Sequence, residues 1–222
     1  MKRTTSKVLS ILWKDILSEL RTRDIVISML VFALLVIVIF NFAFDPERLG
    51  LVASGVLWIA FTFAGVLGLS RSFVLEKDKG CLEGLMLCPV DRDVIYFGKM
   101  LGSLIFILVV AVIVLPIFFI LFNLPIFKPE LGLIVVLATI GFASVGTLFS
   151  AMSVNTKARE IMLPILFFPI VAPVIIAAVK ATELVLTGES WSSLSSWLLV
   201  IVAFDAIFLV VSSLVFEFVI EE

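Results

Sequence analysis

Histidine occurs nowhere in the 222 residues. Its absence removes the commonest general acid–base, the commonest metal ligand and the commonest axial haem ligand. Cysteine is scarce too, with only Cys81 and Cys88. Their spacing is not that of a zinc site and no second ligand cluster accompanies them, so they read as free thiols on a reducing face. Charge is thin: 15% of residues are charged and the formal net charge is −2, so no basic surface points to nucleic acid as a partner. Nor is there a G-x-x-x-x-G-K-[ST] motif, because Gly98-Lys99 lacks both the upstream glycine and the Ser/Thr. The chain therefore cannot hydrolyse ATP by that route, and no residue is assigned a catalytic role.

What fills the space is apolar. The chain is 62% hydrophobic with a mean hydropathy of +1.28, where a soluble domain runs at about 45–50% apolar. A helix needs about 20 apolar residues to cross a bilayer. Six stretches qualify: Ile25–Phe44, Leu49–Ser70, Met100–Phe122, Leu131–Val154, Ile161–Lys180 and Trp197–Phe218. The expected architecture is an all-α membrane protein, with residues 1–24 as one unit and residues 25–222 as a six-span domain interrupted by a charged segment at 71–99.

Thirteen of the 16 Lys and Arg residues fall in the N-terminal segment, the 71–99 segment and the loop after the fourth span; Arg48, Lys128 and Lys180 lie on the opposite side. Cationic loops stay in the cytoplasm, which predicts both termini and the charged segment there. Residues 1–24 carry charge throughout and lack the short apolar core of a cleavable signal. They read as an amphipathic helix. Val8, Leu9, Leu12, Trp13, Ile16, Leu17 and Leu20 form one face, and Lys7, Ser10, Lys14, Asp15, Ser18, Glu19 and Arg21 fall mainly on the other. Such a helix lies in the membrane interface or packs on a soluble partner.

Inside the spans three features stand out. Ala60, Ala64 and Gly68, and likewise Ala143, Thr147 and Ala151 beside Gly141 and Gly146, form small-residue stripes that permit close helix approach, within one chain or between copies. Pro164, Pro169 and Pro173 predict a bent or broken fifth span, and Pro116 a kink in the third. Asp205 is the one charge well inside a span. An acid near the bilayer centre costs about 2.5–3.5 kcal/mol on insertion scales, so it should face the bundle interior or a wet cavity. There it serves as a polar gate or pathway residue, or sits protonated and hydrogen-bonded to a hydroxyl or carbonyl.

The charged segment runs Glu76-Lys77-Asp78-Lys79-Gly80-Cys81-Leu82-Glu83-Gly84-Leu85-Met86-Leu87-Cys88-Pro89-Val90-Asp91-Arg92. Read as a helix, it puts Leu82, Leu85 and Met86 on one face with charges around them, until Pro89 stops it. A short amphipathic rod between two spans has the shape by which one protein docks in another's groove. The alternative is a solvated loop, which leaves the apolar face without a purpose.

Arg71-Ser72-Phe73-x-Leu75-Glu76-Lys77, Gly80-x-Leu82-Glu83-Gly84-Leu85 and Pro89-Val90-Asp91-Arg92 resemble the cytoplasmic segment of CcmB, the haem exporter B permease family of bacterial cytochrome c maturation. Asn41-Phe42-Ala43-Phe44-Asp45-Pro46, Gly141-Phe142-Ala143-x-Val145-Gly146-Thr147-Leu148-Phe149, Ala158-Arg159-Glu160 with Leu163-Pro164, and Phe204-Asp205-x-Ile207-Phe208 extend the resemblance in order along nearly the whole chain. Cys81 and Cys88 stand where small or hydroxyl residues are expected. The resemblance implies an ABC-2-type permease half that pairs with a second copy and with a cytosolic ATPase, alongside other membrane proteins of cytochrome c maturation and a haem chaperone. It makes Glu76, Lys77, Asp78, Lys79, Leu82, Glu83, Leu85, Met86, Pro89, Asp91 and Arg92 the coupling segment that seats on the ATPase. ATP would bind the partner, haem would be handled by the complex, and this chain itself would hold no cofactor. Turnover would release haem-loaded chaperone. The competing readings are a permease half of another ABC-2 exporter, for lipid-linked sugar or drug, a stand-alone secondary transporter, and a membrane scaffold.

Overall fold

The computed structural model describes residues 2–78, 81, 84, 90–124, 128–154 and 159–219. Among these every regular element is a helix: α1 (Lys2–Thr22), α2 (Asp24–Ala43), α3 (Pro46–Asp78), α4 (Arg92–Leu121), α5 (Pro129–Val154), α6 (Arg159–Thr187) and α7 (Trp191–Val219). The last six are each long and apolar enough to cross a membrane. Membrane spanning by unbroken helices follows from the backbone, since a bilayer core offers no water to its N–H and C=O groups. The chain is a multi-pass membrane protein.

α5 is the central span. It packs against α3, α4, α6 and α7, and 72% of its most apolar window is buried within the protein, against 22% for α2 at the edge. The small-residue stripes are seats for neighbours in the same chain. A Cβ on Gly68 would meet the Met29 side chain of α2, one on Gly146 would meet Leu69 of α3, and Ala60, Ala64, Ala143 and Ala151 are all buried. Trp58 of α3 donates its indole N–H to Thr182 Oγ1 of α6 at 2.9 Å in the middle of this packing. At the end of the bundle away from α1, the Asn41 amide donates to the Leu121 carbonyl at 2.8 Å and so caps α4.

Two expectations are narrowed. Of a bent or broken fifth span the break is absent, since α6 runs as one helix through Pro164, Pro169 and Pro173. Each proline removes a single N–H donor, and the buried row Leu163, Phe167, Val171, Val174, Ala177 and Ala178 holds the helix against its neighbours on both sides of each gap. α4 starts at Arg92, not Met100, and α7 at Trp191, not Trp197, so polar first turns escape a purely apolar count. Lys99 thereby lies inside α4 rather than in a loop.

Candidate functional site

The α1 helix has three faces, not two. Leu9, Trp13, Leu17 and Leu20 are exposed, while Ile11, Asp15 and Glu19 are buried against the rest of the chain. Lys14, Ser10, Ser18 and Arg21 make a third, polar face. α1 is thus seated on its own chain, along α4, with the apolar strip of Leu9, Trp13, Leu17 and Leu20 left outward. Two glycines make the seat. A Cβ on Gly98 would stand 2.8 Å from Ile11 Cγ2, and one on Gly102 would stand 3.3 Å from Asp15 Oδ2.

Between these glycines lies Lys99, with its side chain 1% exposed. Its ammonium donates to both oxygens of Asp15, at 3.1 and 2.9 Å, and pairs with Glu76 Oε1 at the end of α3. Lys14, on the water side, also pairs with Glu76 and reaches Asp15 at 3.2 Å. The Phe73 ring lies beneath Lys99, its centroid 5.8 Å from Nζ. Two cations and two anions cancel, and all three ammonium protons of Lys99 are used, so the burial of charge is compensated. The cluster borders a cavity of about 150 Å³ that Ser18, Ser72 and Cys81 also line.

The two acids are shifted in opposite senses. Burial pushes the Asp15 carboxyl up despite Lys99, with Glu76 adding to the rise. Burial acts on Glu76 in the same sense, but Lys99 and Lys14 outweigh it and hold its carboxyl below the usual glutamate range. A raised acid takes up its proton first as pH falls, and that proton relieves the cost of a buried anion. A depressed acid stabilises the fold above its unfolded value, and that stability is lost as pH falls through its lowered native value. The seat of α1 is therefore expected to survive mild acidification and to fail only below the ordinary glutamate range. A spin label at Ser10 reads this as a late gain in mobility; release of α1 near pH 6 would contradict it.

One residue separates α1 from α2. Arg23 adopts a left-handed conformation, φ 58°, which a non-glycine residue enters at a cost. Glu19 holds this elbow, its Oε1 accepting the Val26 N–H at 2.8 Å on the first turn of α2. Burial keeps the Glu19 carboxyl above its ordinary value even with that bond. Glu19→Ala is expected to cost about 1 kcal/mol, as for a lost N-terminal cap, and Glu19→Gln much less, since an amide oxygen can accept the same N–H. Thermal unfolding in detergent measures both; equal losses would show that the bond is not what matters.

This geometry sits on a chain with close relatives by sequence. The model of the CcmB protein family matches residues 6–221. The chain belongs to the CcmB family. It is 31% identical over 152 residues to the haem exporter protein B of Rhodobacter capsulatus, covering 66% of this chain and 69% of that one. Against the haem exporter protein B of Pseudomonas aeruginosa it is 29% identical over 172 residues, 76% and 77% of the two chains. With that of Haemophilus influenzae it shares 26% over 178 residues, 79% and 80%.

In this CcmB-family chain the cluster stands at the root of the charged segment. α3 precedes that segment in the chain and α4 follows it, and Lys99, Asp15 and Glu76 bind both helices to α1. Of the expected docking residues, Glu76 turns inward to the two lysines. Lys77 reaches back to cap the end of α5, its Nζ donating to the Val154 carbonyl at 2.9 Å. Asp91 precedes α4 and Arg92 opens it. α3 closes at Asp78, and Lys79, Leu82, Glu83, Leu85, Met86 and Pro89 lie outside the described residues. Sequence reading put Asp15 and Glu19 on the solvent face of α1; both are buried acids with specific partners. The available signal was the triplet Gly98-Lys99 with Gly102, a cation between two small residues four apart. Asp205, also expected in the interior, is buried against α5, beside Gly141, which it follows by 64 residues in sequence.

Proposed function

We propose that the chain is the membrane permease subunit of an ABC-type exporter in haem export and cytochrome c maturation, driven by ATP hydrolysis on a partner subunit. The observation that carries the reading is the buried Lys99 cluster. A charged segment that only looped through water would need no such anchorage, whereas a segment that receives force must be joined rigidly to what it moves. Lys99, Asp15 and Glu76 join its two roots to α1, so a push on residues 79–91 reaches α1, α3 and α4 together. The end of the bundle that carries α1 and this segment faces the cytoplasm, as the distribution of Lys and Arg requires, and a second copy completes the permease. The family's relatives named haem exporter protein B support the cargo class. The stand-alone transporter reading calls for interrupted spans in matching halves, and the described spans are continuous.

In native membranes an ATPase is expected to copurify with this chain and to detach when Leu82, Leu85 and Met86 are replaced by Glu, with at least a tenfold drop in recovery. Retention of the ATPase by that variant would contradict docking through the segment. Deletion of the chain is expected to abolish c-type cytochromes while other haem proteins persist; loss of both would move the cargo elsewhere.

A further inference from the structure

Asp205 stands at the midpoint of the 29-residue α7, about 20 Å from either end at the helical rise per residue. It is 5% exposed, and neither carboxylate oxygen has a hydrogen-bond partner among the described residues. The hydrogen bond that the sequence allowed to a hydroxyl or carbonyl is not made by any described residue. The acid is instead given room: a Cβ on Gly141 of α5 would fall 2.6 Å from Asp205 Oδ1 and 3.3 Å from the Phe204 ring. The stacked rings of Phe204 and Phe208, 4.2 Å between centroids, lie along the same helix.

Among the described side chains no cation answers this carboxylate. α5 carries no ionisable residue beyond Glu130 in its first turn. On α4 the titratable groups are at its beginning, Arg92, Asp93, Tyr96 and Lys99, and Lys99 is spent on Asp15 and Glu76. On α6, Lys180 and Glu183 pair with each other at 2.9 Å near the far end, and Arg159 and Glu160 open the helix; α7 itself adds only Glu217. A metal ion would need several oxygen ligands, and no group of three His, Cys, Asp or Glu forms among the described residues. One oxygen pair without counter-charge suits one occupant, a proton.

Buried hydroxyls are spaced between that level and the α1 end. One turn along α5 from Gly141, Ser144 Oγ donates to the Phe208 carbonyl at 3.0 Å. Because that proton is committed, the Tyr96 hydroxyl, 2.8 Å away, donates to Ser144. Tyr96 is the only tyrosine of the chain, fully buried, one turn before Lys99. Thr147 and Ser150 continue the buried hydroxyls along α5 at three-residue steps, with no partner for their oxygens among the described residues.

We propose that Asp205 is a proton-binding site at the centre of the membrane, occupied while α5 and α7 are packed and reached from the α1 end through Ser144 and Tyr96. Hydronium at that end supplies the proton, which adds to one carboxylate oxygen and leaves water behind. When the two helices part and water enters, the acid returns the proton to water and the carboxylate is solvated. Occupancy thus favours the packed bundle. Protonation at Asp205 stands without the coupling reading; its effect on turnover rests on it.

The test uses the chain in its native membranes. Dicyclohexylcarbodiimide, an apolar reagent that adds to protonated carboxyls within the bilayer, is expected to label the peptide containing Asp205, with labelling falling at least fivefold as pH is raised. Asp205→Asn is expected to insert and pack normally and to lose both the label and the infrared band of a protonated carboxylic acid. Ser144→Ala and Tyr96→Phe are expected to keep the label but slow its response to a pH jump by at least tenfold. Absence of label and band from the wild-type chain at every pH at which it stays folded would overturn the proposal, whether or not any variant folds. An unchanged pH-jump response in both hydroxyl variants would overturn the route. If no ATPase copurifies, the coupling reading fails while the labelling result stands.

Discussion

Replacing Lys99 by methionine is expected to destabilise the chain by about 3–5 kcal/mol, the range for removing one partner of a buried ion pair. Methionine keeps most of the volume and the contact with Phe73, so the loss is electrostatic. Asp15 and Glu76 would then face each other across the cavity, with only Lys14 to answer both, from a side chain 42% exposed. The elbow at Arg23 should open as α1 lifts from Gly98 and Gly102, loosening the backbone at the already exposed Arg21 and Arg23 so that trypsin cuts there faster. Neutralising the acids as well, in Asp15→Leu/Glu76→Met/Lys99→Met, is expected to recover most of the stability, since a buried ion cluster and a well-packed apolar one differ little in net free energy. The same triple variant should still fail to couple the charged segment to α1 if directional ion pairs, rather than burial, carry the push. Thermal unfolding and tryptic mapping separate these effects. A loss for Lys99→Met within about 0.5 kcal/mol, as for a surface pair, would show that the cluster does not hold α1.

Trp58→Ala is expected to cost about 3–5 kcal/mol, as for deleting a large aromatic from a packed interior. In a bilayer, lipid tails solvate apolar groups almost as well as protein does, so the loss lies in packing and hydrogen bonding rather than in transfer from water. Trp58 is 1% exposed and meets Phe61 and Phe142 edge to face at 5.9 and 6.1 Å. With its indole bond to Thr182 it therefore locks α3, α5 and α6 together. Trp58→Phe keeps the ring but leaves the buried Thr182 hydroxyl without its donor, and about 1–3 kcal/mol is expected to go. Adding Thr182→Val to Trp58→Phe removes that orphan and should return most of it. Unfolding of the wild type, the two single variants and the double variant in detergent closes the cycle. Full additivity of Trp58→Phe and Thr182→Val would mean that the bond contributes nothing.

The spans were legible because a bilayer imposes its thickness on the chain: each crossing needs its own run of apolar residues, and a run is a local property. Their ends were less so, and α4 and α7 gained polar first turns that a hydropathy count discards. α1 was legible as amphipathic, but a two-colour pattern cannot express three surroundings. Asp15 and Glu19 looked solvated because acids usually are; what buries them is Lys99, 84 residues from Asp15 in sequence, and the first turn of α2. The prolines of α6 leave its helix unbroken for the opposite reason. Each is a local defect, and the neighbours that span it are not local.

By itself, then, the sequence determined that this is a six-span membrane protein without histidine chemistry or a nucleotide motif of its own, and its motifs carried the CcmB family along nearly the full length. Only the tertiary structure decided which charges meet. Sequence could place Asp205 in the membrane but not show that no described residue hydrogen-bonds it, and could place Lys99 near the charged segment but not between Asp15 and Glu76. The physical reason is distance: apolar length is written within twenty residues, whereas a buried charge is explained only by the residue that answers it, or by the lack of one.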